Sequence, residues 1–305
     1  MPVMLAEILA YLDPQPGQVM VDGTLGLGGH AREFAMRITP GGILFGFDWD
    51  EAMFVIAKDR LRDLTNVEII LTPQDFRSAP EVIDQYAKRV DGVLLDLGLN
   101  SGQVDDPQRG MSFREIGPLD MRMDQRVGEP ASAWLNRATP DEIENVLFHY
   151  GDERWARAIA KVIVATRKDK PLKTTQDLVD CVLNAIPPKA RDKRIHPATR
   201  TFQAVRIYLN RELEGLSDAI IALANRLNPC GNVAVLSYHS GEDRIVKNTF
   251  RDLSGEDFEE RTKKPVLPGA DEVARNARAR SAKLRVLRRR PLVPPSQTED
   301  PTALN

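Results

Sequence analysis

Cysteine is scarce in this chain. Its 305 residues include only Cys181 and Cys230, which do not form a CxxC pair. A disulfide framework and a cysteine-rich zinc or iron–sulfur site are therefore excluded, and no metal site is predicted. A reducing cytoplasm is the compartment that this cysteine usage fits.

Long apolar runs are also missing. No stretch approaches the roughly 20 apolar residues that span a bilayer. The first residues lack the basic head and apolar stretch of a signal peptide. The sequence therefore predicts a cytoplasmic protein with no membrane partner.

Net charge is nearly absent, since 42 basic and 44 acidic residues leave −2. This balance argues against a protein that coats nucleic acid by charge alone. The basic residues are nevertheless clustered: residues 275–290 carry eight and no acidic residue, and residues 187–211 carry seven and one acidic residue. Such clusters predict RNA contacts. The basic members of the 187–211 cluster are Lys189, Arg191, Lys193, Arg194, Arg200, Arg206 and Arg211.

The first hundred residues alternate between strand and helix patterns. Apolar strands are predicted at 18–22, 43–48, 67–71 and 90–97, with helices between them. Ser78 and Glu81 form a capping-box signature for one of these helices. Apolar strands that alternate with helices indicate a parallel sheet covered on both faces.

This alternation then stops, and the next strand, the fifth, is predicted at 232–237. A βαβ unit needs only about 30 residues, so the surplus predicts an inserted domain, and its signals are helical. A long amphipathic segment at 202–227 is expected to lead back to the sheet. The predicted organisation is a sheet domain of residues 1–105 and 205–290, a helical insert at 106–204, and a disordered tail at 291–305.

A glycine-rich segment, DGTLGLGGH at 22–30, follows the first strand and opens a helix. This arrangement offers close backbone approach and free helix N–H groups to a ligand, and Asp48 at the end of the second strand could accept ribose hydroxyls. Two ligands fit: S-adenosylmethionine and a nicotinamide dinucleotide, whose fingerprint Gly26, Gly28 and Ala31 match formally. Asp22 favours the first, because a carboxylate suits its cationic methionine end better than a pyrophosphate.

A second polar cluster follows the fourth strand and includes Asp96, Asn100 and Gln103. The carboxyl ends of parallel strands are where open α/β sheets bind ligands, so Asp96 is expected beside the glycine segment. Phe76 follows the third strand, where it could stack on an adenine or simply pack in the core.

Six motifs resemble those of the bacterial 16S rRNA cytosine-N4 methyltransferases, and the matches run from residue 2 to about 288. Two long and specific ones are GPLDMRMD at 117–124 and HPATRTFQAVR at 196–206. The others are DGTLGLGGH at 22–30, LLDLG at 94–98, SYHS with EDRIVK at 237–247, and RARSAKLR at 278–285.

The resemblance implies an α/β fold, a class I (Rossmann-like) methyltransferase sheet with an inserted all-helical substrate-recognition domain. It implies methylation of a cytidine N4 in the decoding region of 16S rRNA, with S-adenosylmethionine as cofactor. The implied partners are 16S rRNA or the small ribosomal subunit, and a homodimer is a further expectation. Mapped onto matching positions, the donor site consists of Gly28, Gly29, His30, Asp48, Phe76, Asp96 and Gln103.

The catalytic residues are less defined, because no Pro-Pro-Tyr type motif follows the fourth strand. An acceptor for an N4 hydrogen would help the reaction, and Asp96 and Asn100 are the predicted catalytic residues. Asn100 departs from the family pattern, in which serine is usual. Two other functions stay open at this point: a nicotinamide-dependent oxidoreductase, and an RNA-binding assembly factor without activity.

Overall fold

The computed structural model describes residues 2–86, 88–99, 101–192 and 194–292. Asn100 and residues 293–305 of the predicted tail lie outside the described residues. Seven strands form one sheet in this part of the chain. They are β1 (Val19–Asp22), β2 (Ile43–Phe47), β3 (Glu68–Thr72), β4 (Val90–Asp96), β5 (Leu227–Ser237), β6 (Phe258–Glu260) and β7 (Lys283–Arg289).

The strand order is β3-β2-β1-β4-β5-β7-β6. Strands β1 to β5 pair in parallel, whereas β7 runs antiparallel to both β5 and β6. The parallel strands bring their carboxyl ends to one edge, and the order reverses between β1 and β4. Such a switch point opens a crevice for ligands.

Helices cover both faces of the sheet because successive strand residues point to opposite sides. Met20 and Leu44 pack against one set of helices, while Val21 and Phe45 pack against the other. The first set is α1 (Leu5–Leu12), α2 (Gly29–Ile38) and α3 (Glu51–Leu61), and the second is α4 (Ala79–Gln85), α11 (Leu216–Ala224) and α12 (Ser240–Leu253).

A third core, formed by helices, lies between β4 and β5 in sequence and has Trp134 and Leu147 fully buried at its centre. Capping boxes at Thr139 and Thr174 start two of its helices, as the sequence predicts. The helices of this region are α5 (Ser101–Asp105), α6 (Ala131–Arg137), α7 (Pro140–Gly151), α8 (Ala156–Asp169), α9 (Thr175–Ala185) and α10 (Ala198–Leu209); α13 (Ala270–Arg275) follows β6.

The amphipathic segment at 202–227 forms two helices, α10 and α11, because the chain turns at Arg211, where φ is 51°, and at Gly215. One local prediction is wrong. Ser78 makes no side-chain cap to α4; its hydroxyl donates instead to the carbonyl of Asp75, whose carboxylate accepts from Arg77 N.

Every helix in the described part of the chain is too short or too polar to cross a membrane.

Candidate functional site

A cavity of about 450 Å³ opens at the carboxyl edge of the parallel strands. This volume lies within the range typical of small-molecule sites. Six of the predicted donor-site residues line it, namely Gly29, His30, Asp48, Phe76, Asp96 and Gln103. Gly28 is not among the lining residues, and Asn100 lies outside the described residues.

Gly28 shapes the loop beneath the cavity. It is the N-cap of α2 with φ 73°, a conformation that favours glycine. A Cβ at this position would lie 3.2 Å from the Cβ of Ala57, so the missing side chain also lets α2 approach α3.

Asp48 ties the glycine loop to the second strand. Its Oδ2 accepts from Gly26 N at 2.6 Å, and its Oδ1 accepts from Asp50 N at 2.9 Å. Burial raises the pKa of Asp48 to about 6, although these two hydrogen bonds oppose the rise. A carboxylate has about four lone-pair positions, so Asp48 can still accept from a ligand hydroxyl.

Asp96 is held from three sides at the end of β4. Its backbone N donates to Thr24 Oγ1 at 2.6 Å, and its Oδ1 accepts from the Tyr238 hydroxyl at 2.7 Å. Its Oδ2 lies 3.8 Å from His30 Nδ1. His30 Nε2 is 3.0 Å from the carbonyl of Val3 and must donate to it. Burial lowers the pKa of His30, so the imidazole is neutral and presents the Nδ1 lone pair toward Asp96.

Three carboxylates stand on adjacent strands at this edge: Asp22 on β1, Asp48 after β2 and Asp96 on β4. Burial raises the pKa of all three, and that of Asp22 reaches about 7. Asp22 Oδ2 is buried and makes no hydrogen bond with the residues that the structure describes. A pyrophosphate would be repelled here, whereas a cationic sulfonium–methionine ligand would be stabilised. The residues therefore fit S-adenosylmethionine better than a nicotinamide dinucleotide.

Phe76 lines the cavity with an aromatic ring, whereas Gln103 belongs to a buried hydrogen-bond network. Phe76 lies in a 3₁₀ turn after β3, is buried, and carries the Arg77 guanidinium 4.8 Å from its ring centre. Gln103 Nε2 donates at 2.9 Å to Asp50 Oδ2, which also accepts from Arg109 at 2.6 Å. Since Arg109 also donates to the carbonyl of Met123, this buried network joins the helical region to the cavity floor.

The sequence motifs did not predict a role for Tyr238. They also did not predict the cavity wall that N-terminal residues form with residues near 276. Tyr238 follows β5 at the same edge as Asp96, and that placement was the available signal. Pro2 and Val3 line the cavity, and so do Asn276 and Arg278. This wall is closed by Met4 N, which donates to Glu272 Oε1 at 2.6 Å.

A polar cluster borders the cavity next to Tyr238. Ligand atoms of Glu212, His239 and Glu242 lie within 4.8 Å of one another, as in a metal site. However, Arg206 donates to both oxygens of Glu212 at 2.8 Å, so the cation of this cluster is a guanidinium. His239 Nδ1 accepts from the backbone N of Gly241 and of Glu242 and caps α12, so the proton of the neutral imidazole is on Nε2.

Some basic residues predicted to contact RNA serve the fold instead. Arg206 is paired with Glu212, and Arg285 is buried and donates to Asp243 at 2.7 Å. Both are thereby withdrawn from the predicted RNA contacts. Other members of the two clusters are exposed, namely Lys189, Arg194, Arg211, Arg275, Arg278, Arg280 and Arg290.

A sequence model of the MraW methylase family matches residues 1–290. The chain belongs to the MraW methylase family. This membership confirms the family that the motifs resemble, the class I methyltransferase fold and S-adenosylmethionine as cofactor. The nicotinamide alternative is thereby set aside.

Curated relatives resemble this MraW methylase over nearly its full length. Ribosomal RNA small subunit methyltransferase H of Halothermothrix orenii is 42% identical and covers 94% of this chain and 97% of its own. The protein of the same name from Geobacter sulfurreducens is 44% identical and covers 93% and 96%. The crystal structure of an rRNA methylase from Streptococcus thermophilus matches with TM-score 0.41 and 12% identity, covering 94% of this chain and 92% of that one.

Proposed function

We propose that this methyltransferase modifies small-subunit rRNA, at the exocyclic N4 of a cytidine in the decoding region of 16S rRNA. The observation that carries the substrate class is the similarity over nearly the whole chain to relatives named for small-subunit rRNA. The N4 position and the decoding region rest on the motif resemblance. An rRNA substrate places the protein in the cytoplasm.

The donor site consists of the residues at the carboxyl edge. Gly29, His30, Asp48, Phe76, Asp96 and Gln103 line one cavity and would hold the cofactor there, on a loop shaped by Gly28. When bound, S-adenosylmethionine supplies an electrophilic methyl group for in-line attack by a nitrogen. The hydrogen bonds that fix Asp48 and Asp96 make the site rigid before binding. Such positioning contributes up to about 7–11 kcal/mol to reactions of this kind.

Asp96 is the described member of the two predicted catalytic residues. An acceptor for an N4 hydrogen favours the developing tetrahedral nitrogen, because the cytosine N4 lone pair otherwise feeds the ring. Asp96 Oδ2 lies beside the neutral His30 and is suited to that task. Replacing Asp96 with Asn tests it: full turnover with unchanged donor affinity would remove Asp96 from the catalytic residues.

The helical region at 106–204 is proposed to recognise the substrate. It has its own apolar core, and it is joined to the cavity through the contact of Arg109 with Asp50. Its exposed basic residues include Lys189 and Arg194. Binding to rRNA should weaken steeply with salt if these residues contact phosphates. The homodimer stays a prediction, which analytical ultracentrifugation tests directly.

Mass mapping of nucleosides is the experiment that tests the function. Small subunits and free 16S rRNA that lack the modification are incubated with S-adenosylmethionine, with and without the protein, and then digested. An added methyl group on one cytidine, retained on its base fragment, is the expected result. A methyl group on another base, on a ribose, or on no nucleoside would overturn the proposal.

A further inference from the structure

Glu242 is a further carboxylate on the wall of the proposed donor cavity. Glu242 lies in the first turn of α12 and is only 2% exposed. It lines the cavity together with Asp96 and Tyr238. Neither the motif mapping nor the donor-site geometry assigns it a role toward the substrate.

One tyrosine connects this carboxylate with Asp96. The Tyr238 hydroxyl donates to Asp96 Oδ1 at 2.7 Å, and the Tyr238 backbone N donates to Glu242 Oε2 at 2.8 Å. The two acids are close enough for the charge of Glu242 to raise the pKa of Asp96. A ligand between Asp96 and Glu242 would therefore meet two carboxylate acceptors, and Tyr238 fixes the distance between them.

The hydrogen bonds of Glu242 leave one of its oxygens for a ligand. Oε2 accepts from the backbone N of Tyr238 and, at 3.3 Å, of His239. Oε1 lies 3.1 Å from His239 Nε2, whose proton lowers the pKa of Glu242. A carboxylate oxygen has two lone-pair positions, so Oε1 can also accept from a ligand.

The ionisation of the two acids differs. Burial acts to raise the pKa of Glu242, but His239, the backbone N–H of Tyr238 and the charge of Arg206 together hold that pKa below its usual value. Burial raises the pKa of Asp96 instead. The two pKa shifts thus run in opposite directions, downward for Glu242 and upward for Asp96.

We propose that Glu242 is a catalytic residue that binds the exocyclic amino group of the target base together with Asp96 and takes up its proton. This inference rests on the proposed function, since an amino group offers two N–H donors, and Asp96 and Glu242 offer one carboxylate each. The N4 lone pair forms the new N–C bond, and the C–S bond of the donor breaks with its electron pair staying on sulfur. The proton released from N4 passes to the Glu242 carboxylate.

The same arrangement predicts selectivity. A carboxylate accepts from the amino group of cytidine but faces only oxygen lone pairs at the corresponding position of uridine. Glu242 should therefore favour cytidine over uridine even when no methyl transfer takes place.

Replacing Glu242 with Gln separates this role from helix capping, because the amide oxygen still accepts from the two backbone N–H groups. We expect kcat to fall about 100-fold or more, the range typical of a lost acid–base group. Melting temperature and calorimetric affinity for S-adenosylmethionine should stay close to those of the unchanged protein. Asp218→Asn is the matched control, since it removes an exposed first-turn carboxylate from the adjacent helix α11 and should leave kcat unchanged.

Binding without catalysis gives the second readout. Substrates carrying cytidine or uridine at the target position should differ about tenfold in affinity for the unchanged protein, and the ratio should approach one for Glu242→Gln. A kcat within threefold of the unchanged protein, an unchanged ratio, or a parallel loss of stability and donor affinity would each overturn the inference. If the unchanged protein methylates no cytidine N4, the proposed function itself fails instead.

Discussion

Asp22→Asn should remove part of the pH dependence of the unfolding free energy. In the folded protein, burial raises the pKa of Asp22 to about 7 from an ordinary value of 3.8. Between these two values the folded state holds a proton that the unfolded state has lost. The contribution of Asp22 to stability is therefore complete below pH 3.8 and is lost as the pH rises through 7. At 1.36 kcal/mol per pKa unit, the whole loss is about 4 kcal/mol.

Asn cannot titrate, but its Oδ1 can keep the hydrogen bond that Asp22 accepts from Thr24 N. The difference in unfolding free energy, variant minus unchanged protein, should increase by about 3 kcal/mol between pH 5 and pH 8 and level off above pH 7. Urea unfolding followed by tryptophan fluorescence at four pH values measures this difference. A difference that stays constant within 1 kcal/mol across that range would refute a buried, protonating Asp22.

Three further predictions concern the contacts around the cavity. Arg109→Met leaves Asp50 buried without its ion-pair partner and should lower the unfolding free energy by about 3–5 kcal/mol in urea melts; a loss below 1 kcal/mol would contradict the pair. Tyr238→Phe removes a hydrogen bond to Asp96 and should weaken S-adenosylmethionine binding about tenfold or more by calorimetry, whereas unchanged affinity would show that this bond does not matter. Gly98→Ala places a Cβ 2.9 Å from the Tyr238 ring at φ 122° and should cost about 1–3 kcal/mol of stability in a thermal melt, which a variant of equal stability would disprove.

The sheet edge was predictable because its signals are local. Asp48 and Asp96 end or follow apolar strands, and the glycine segment stands between a strand and a helix. In a parallel sheet these positions must converge, so a few residues of context predicted that Asp48 and Asp96 would line one cavity with the glycine segment. The strand β5 begins five residues earlier than predicted, because Pro229 and Cys230 also lie within the strand.

The remaining contacts depend on pairs that are far apart in sequence. Tyr238 and Asp96 are 142 positions apart, and Arg109 lies 59 positions from Asp50. No local pattern records which partner a buried polar side chain will meet. Arg206 shows the same limit: it belongs to the basic cluster at 187–211, but its ion pair with Glu212 takes it out of the exposed surface.

The hydrogen bond between Met4 and Glu272 joins residues 268 positions apart and closes the wall formed by Pro2, Val3, Asn276 and Arg278. At about 5–20 residues per second, translation of the intervening chain takes roughly 15–50 s. The glycine segment and the first strands leave the ribosome early in that interval, long before the residues that complete this wall. A nascent chain therefore carries an incomplete cavity, and the proposed methyl-donor site is complete only when residues 272–278 have emerged.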